Sequence, residues 1–301
     1  MANITSYPTA TPTGSDLVIG TDMSTTPIST KTFTIDSINS LAYDATFPFV
    51  FNTTSKNGIQ STGNTASGDS SLATGRSTIA SGNVSTAIGE STTASGISST
   101  AMGAQTTSSG TYSTAMGYRT TANGQSSTAM GDDTTASGES SIAMGSDTIA
   151  SGTNSTAMGF FTTASGLRST SMGIGTEASG SFSTAMGDNT TAFGYASTAI
   201  GRFNVLNTGD NATAYAATNT AFSIGNGTAE GSRSDAFKVL FNGTTTIAGS
   251  VTSESLNVTA LNTAPASATA AGTLGSIRFT ADHIYVCVAT NTWKRVAIAT
   301  F

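Results

Sequence analysis

Side chains able to do chemistry are few. His283 is the only histidine in 301 residues, so a nucleophile, histidine and acid relay would have to be built around it. Its neighbour Asp282 in "TADHIYV" cannot serve, because adjacent residues of a strand point to opposite faces. A turn or half-buried histidine is the expectation. Asp132, Asp133 and Glu139 offer carboxylates to a cation, but no loop of spaced oxygen ligands follows them, so solvated turns and no metal are expected. The many glycines do not make a phosphate cradle, since such a loop opens a helix and here each Gly leads into another strand-like run. The lone Cys287, inside the apolar "HIYVCVA", is expected to be packed and unreactive. These residues predict neither an enzyme nor a bound cofactor.

Binding residues are easier to find. Tyr112, Tyr118, Arg119, Phe160, Phe161, Arg168, Phe182 and Tyr195 fall in the variable pairs that follow successive glycines, and Trp293, Lys294 and Arg295 lie near the C-terminus. Aromatic rings and Arg are enriched in recognition surfaces and stack on sugars or apolar patches. The competing expectation is that the rings pack between neighbouring subunits. The formal charge of −6, with only 11 Lys and Arg, excludes a nucleic-acid partner, which needs clustered cations. It leaves an acidic or neutral glycan open. The start "MANITSYPTATPTG" has neither a basic cluster nor an apolar run, so no secretion signal and no membrane insertion are expected.

The elements that must position these residues are set by repetition. From 68 to 201 glycine returns every seventh residue. A helix would lose about 1 kcal/mol at each such Gly, which rules out a coiled coil. Aligned, the half-repeats read [S/T]-T-A-M-G-x-x and T-T-A-S-G-x-x, giving a unit of fourteen. Ile88, Met102, Met116, Met130, Met144, Met158, Met172, Met186 and Ile200 mark one half, and a small residue marks the other. Each half predicts a short strand followed by a turn at the Gly and its two variable neighbours. Two such halves make one coil of a β-solenoid with parallel pairing between coils. The Met half is expected to face a dry core and the Ser half something wetter. Such a coil buries little, so a lone chain is too thin. We expect a homotrimer with the nine Met and Ile residues as its core.

The alternation "STAMGxxTTASGxx" resembles the fourteen-residue repeat of the Yersinia adhesin head, with "STAIGESTTASGIS" at 85–98 a close match. That resemblance to the heads of trimeric autotransporter adhesins implies a left-handed parallel β-roll, a trimer and an adhesive role over residues 67–203. The ends are similar to other proteins. "GSDLVIGTDMSTTPISTKTFTIDSINSLA" resembles particle-attachment segments of bacteriophage structural and fibre proteins, with strands at "DLVIG" and "TKTFTI" and a helix-like "DSINSLA". The C-terminal "NTAPASATAAGTLGSIRFTADHIYVCVATNTWKRVAIATF" is similar to the ends of phage fibres, with strands "SIRFT", "HIYVCVA" and "WKRVAIATF".

The expected chain is therefore all-β: an attachment domain at 1–45, a linker at 46–66, a β-roll shaft at 67–203, a β-rich neck at 204–262 and a C-terminal tip or trimerisation domain at 263–301. Asn242-Gly243 predicts a hairpin in the neck. The function implied is a virion fibre of tail, collar or head. Other virion proteins would hold its N-terminus, and a host-surface glycan or protein would meet repeated noncovalent contacts. A passive spacer without a receptor is the alternative. Thr pairs such as 92-93, 106-107 and 120-121 also suggest the flat ladders of ice-binding solenoids, and a fragment of a bacterial trimeric adhesin would share the repeat.

Overall fold

The computed structural model describes residues 17–22, 29–34, 49–52, 58–255, 258 and 260–300. The helix-like segment expected at 36–42 lies outside them. The described residues are all-β apart from one 3₁₀ turn at Glu230–Ser232, and they divide into two units, Met1–Gly249 and Ser250–Phe301.

Besides a separate antiparallel pair, Leu17–Asp22 with Ser29–Thr34, the first unit contains a solenoid with two sheets. Each coil gives one five-residue strand to a long sheet, as in Thr114–Tyr118, and one two-residue strand to a ten-stranded sheet, as in Thr121–Ala122. Coils pair in parallel with a register of fourteen: Met102 beside Met116, then Met130. Ten coils at about 4.8 Å each make a shaft of roughly 45 to 50 Å.

What fills the coil follows from its width. In residues 113–126 the inward side chains are Ser113, Ala115, Thr120 and Ala122, all at most 1% exposed. The same two Ala columns and two hydroxyl columns run along the shaft, with Ser108 and Ser171 each replacing one Ala. Only small residues fit between two sheets joined by such short corners. Both strands of a coil therefore share one narrow interior, and the Met and Ser markers both point away from it. This corrects the expectation of one dry and one wet half. Among the inward serines, Ser71, Ser113, Ser141 and Ser197 donate to the Gly carbonyl three residues earlier, at 2.6 to 2.8 Å. Thr pairs split likewise: Thr92, Thr106 and Thr120 are buried while Thr93, Thr107 and Thr121 face out, so the pairs do not form the expected surface ladder.

The glycines have two reasons. In the Met half Gly lies within the strand, not at a turn, and Gly117 has φ +126, a conformation closed to L side chains. In the other half the backbone is ordinary, but a Cβ on Gly124 would sit 2.0 Å from the Gly138 carbonyl oxygen. The coils are stacked too closely there for any side chain.

Both ends of the ladder are closed. Gly58–Ser61 pairs antiparallel with Phe49–Asn52. At the other end Thr220–Asn226 adds a last parallel strand, Asp235–Leu240 pairs antiparallel with it, and Thr245–Ile247 pairs antiparallel with Asp235–Leu240 in turn. Asn242-Gly243 makes the turn between the last two, with Gly243 N–H donating to Leu240 C=O at 2.9 Å. Parallel edges that would otherwise recruit strands are thus covered. Buried asparagines complete the closure. The Asn64 oxygen accepts from Thr78 N–H at 2.7 Å, and its amide donates to Gly75 C=O at 2.8 Å. Asn204 does the same at the far end, accepting from and donating to the backbone of Thr191 at 2.7 and 2.9 Å. A side-chain amide stands where the peptide of a further coil would be.

The second unit contains a three-stranded antiparallel sheet of Ile277–Phe279, His283–Ala289 and Thr292–Ala297. Its positions match the three strands read from the sequence.

Candidate binding surfaces

Two corners join the strands of each coil, and both are built the same way. The second residue after each Gly is left-handed, with φ between 42° and 61° from Ser70 to Phe203. Its N–H donates to a carbonyl fifteen residues back: Tyr112 to Ile97 at 2.8 Å, Arg119 to Ala104 at 2.9 Å. Corner side chains therefore stack in columns at intervals of fourteen, so a residue interacts with its counterpart one coil away. Arg119 grips Asp133 (Nε to Oδ1 2.7 Å) and lies 5.1 Å from the Tyr118 ring centroid. Arg202 pairs with Asp188 at 2.9 Å, and Arg76 with Glu90.

These columns distribute the binding candidates over separate places. Tyr118, Arg119, Phe160 and Phe161 lie at the corner following the Met half. Phe160 and Phe161 touch edge to face at 4.2 Å, beside the exposed Ile174 of the next coil. Tyr112, Arg168, Phe182 and Tyr195 lie at the other corner. There Arg168 sits 5.4 Å from the Phe182 centroid, and Phe182 is 5.3 Å from Tyr195. Asp133 and Glu139 are on different corners, and Asp133 is held by Arg119. The nine Met and Ile residues form one outward column on the long sheet, half-exposed to exposed, with Met186 at 39%.

In the C-terminal unit Trp293 is buried. Its indole N–H donates to Ala270 C=O at 3.0 Å, Gly272 lies against its ring, and Arg278 sits 4.9 Å from the ring centroid. Only part of the residue borders a cavity of about 330 Å³, shared with Tyr285, Lys294 and Arg295. Sequence reasoning passed over Tyr285 and Arg278. Strand alternation was the available signal, since Tyr285 pairs with Arg295 across the ladder and Cys287 with Trp293. His283 is half-buried, with its ring 5.7 Å from Tyr285, and Cys287 is buried and unpaired.

Two carboxyls, Asp235 and Glu230, have perturbed acidities. Burial raises the Asp235 carboxyl above its usual range, opposed by the Val205 N–H that its Oδ1 accepts at 2.9 Å. A hydrogen bond from Arg233 lowers Glu230. Among the described residues no group of three or more His, Cys, Asp or Glu could hold a metal, and no helix is long and apolar enough to cross a membrane.

The fourteen-residue sequence repeat of these coils has a known counterpart. The shaft matches the YadA head domain repeat. Successive matches cover 66–93, 94–120, 122–148, 150–176 and 178–204, two coils at a time, so the YadA-head-like segment begins and ends with the solenoid proper. A stretch of 37 residues is also 54% identical to "Depolymerase 1, capsule K30/K69-specific" of Klebsiella phage K5-2. It covers 12% of this chain and 5% of that protein. A named enzyme thus stands beside a chain whose residues predicted no enzyme.

Proposed function

We propose that this chain is a trimeric fibre of a bacteriophage particle, its shaft a stack of YadA-head-like coils that carries adhesive surfaces to a bacterial exterior. The observation that carries the reading is the outward Met and Ile column. A coil filled only with Ala, Ser and Thr buries little apolar area of its own, while the Met and Ile residues stand in register on the outside of one sheet. Three such sheets around an axis would cover them. The YadA-like repeat supports the trimer, and the likeness to a phage protein supports the virion. Residues 1–45 are proposed as the anchor on the particle. The corner rings and the C-terminal unit are proposed as the surfaces that meet the host.

Met130→Asp tests the assembly. Met130 is already partly solvated on a single coil, so the charge should leave the coil folded and abolish the trimer in light scattering. A soluble trimer of unchanged stability would remove the Met column from the interface. Immunogold labelling of particles locates the protein, and its absence from purified particles would overturn the virion assignment. A second reading, in which the chain itself cleaves capsule, draws on the name of the phage relative. New reducing ends released from purified capsular polysaccharide by the full chain would establish it.

A further inference from the structure

The cavity in the C-terminal unit has the composition of a ligand site. Its wall includes Pro265, Ser267, Tyr285, Trp293, Lys294 and Arg295. At about 330 Å³ it lies at the small end of ligand pockets, enough for roughly one or two sugar rings. Three facts point to what it would take. First, Lys294 and Arg295 have no acidic partner among the described residues. Elsewhere Arg76, Arg119, Arg202 and Arg233 are all ion-paired, so the pattern of this chain is to neutralise its arginines unless they are stacked. Second, Tyr285 lies directly across the ladder from Arg295, is half-buried, and has a hydroxyl with no hydrogen bond to a described residue. A ring, a free hydroxyl and a guanidinium are brought together. The Trp293 N–H is already used by Ala270, leaving that residue as apolar wall. Third, residues 250–301 carry three Lys or Arg against two Asp or Glu, whereas residues 1–249 carry eight against fifteen. The unit carries a small formal positive excess, while the rest of the chain is acidic.

We propose that this cavity binds an acidic sugar, a hexuronate or a similar carboxylate-bearing saccharide unit. Tyr285 stacks on the apolar face of the ring and Arg295 forks onto the carboxylate. The proposal rests on the reading of the chain as a fibre that meets a bacterial surface, and it supplies the ligand class. Three copies per trimer would turn a weak single contact into firm attachment.

The experiment is a titration of the full chain with methyl glucuronide, followed by saturation-transfer NMR. Methyl glucoside and inorganic phosphate serve as the neutral ring and the bare anion. Saturable binding of the glucuronide, at least tenfold weaker with the glucoside and at least tenfold weaker in Arg295→Gln, supports the site. Tyr285→Phe should keep most of the binding and Tyr285→Ala should lose it, each with unchanged circular dichroism. No saturable binding, equal binding of the glucoside, equal displacement by phosphate, or an unaffected Arg295→Gln overturns it. Adhesion to cells and particle labelling are read in parallel. Intact adhesion without glucuronide binding sinks the cavity alone, and absence from the particle sinks the fibre reading whatever the sugar result.

Discussion

Replacing Gly124 by Ala tests how closely the coils are stacked. The backbone there suits any residue, so the penalty is purely one of space. The added methyl would lie 2.0 Å from the Gly138 carbonyl oxygen, and ordinary contact requires about 3.4 Å. The neighbouring coil must retreat by about 1.4 Å. Three bonds tie the two coils at that corner: Asn123 N–H and Gly124 N–H to Ala136 C=O, at 2.9 and 3.2 Å, and Ser140 N–H to Gln125 C=O at 2.7 Å. At about 1 kcal/mol net each, with some loss of Ala packing, the cost is roughly 3 to 5 kcal/mol per chain. Gly209→Ala is the control, because a Cβ there meets nothing within 4 Å. Thermal melts of the full chain should show a large drop for Gly124→Ala and almost none for Gly209→Ala. If Gly124→Ala melts within about 0.5 kcal/mol of the parent, the coils can open freely and backbone contact is not what demands the glycine.

Other consequences can be measured the same way. The Thr134 hydroxyl is fully buried without a hydrogen-bond partner, so Thr134→Val should stabilise by about 1 kcal/mol; a lower melting temperature would mean that the hydroxyl is bonded. Val84 is a β-branched residue at φ 59°, and Val84→Asn should gain about 1 kcal/mol by relieving a left-handed backbone. Asp235 has a raised folded pKa, so the unfolded chain releases this proton first as pH rises. Its contribution therefore favours folding at and below the ordinary carboxylate range and is lost as pH climbs through the raised value. Melting curves of parent and Asp235→Asn between about pH 3.5 and 7 should converge at the acid end and separate, with the variant more stable, toward neutrality.

The repeat was legible because its glycines answer to backbone, not to side-chain neighbours. Gly89 and Gly103 meet the same carbonyl fourteen residues on, and that contact repeats as strictly as the letters do. Which side chains enter the coil was harder to read. Alternation in Ser113, Thr114, Ala115, Met116 allows either pair to point inward, and preference for the most apolar residue selects Met116. Width selects Ala115 instead. Left-handed corners had a signal that went unused: Ser70, Ser91, Asp133, Asp147, Asn154 and Asn189 all occupy them, and short polar residues tolerate that conformation best. Tyr112, Phe161 and Phe182 at the same positions disguised the rule. The cavity beside Tyr285 was invisible because it depends on residues 265–268, a stretch without periodicity.

Asn64 and Asn204 end the stack by imitating a neighbour that is missing, and neither depends on how many coils stand between them. Length is consequently a free variable, altered in quanta of fourteen residues and about 4.8 Å. Slippage between near-identical repeats during replication would add or drop whole rungs while every hydrogen-bond register survives. A lineage carrying such a gene can adjust its reach without redesigning either end, whereas an insertion of seven would stack the Met half on the other half, and one that is no multiple of seven would throw Gly onto side chains.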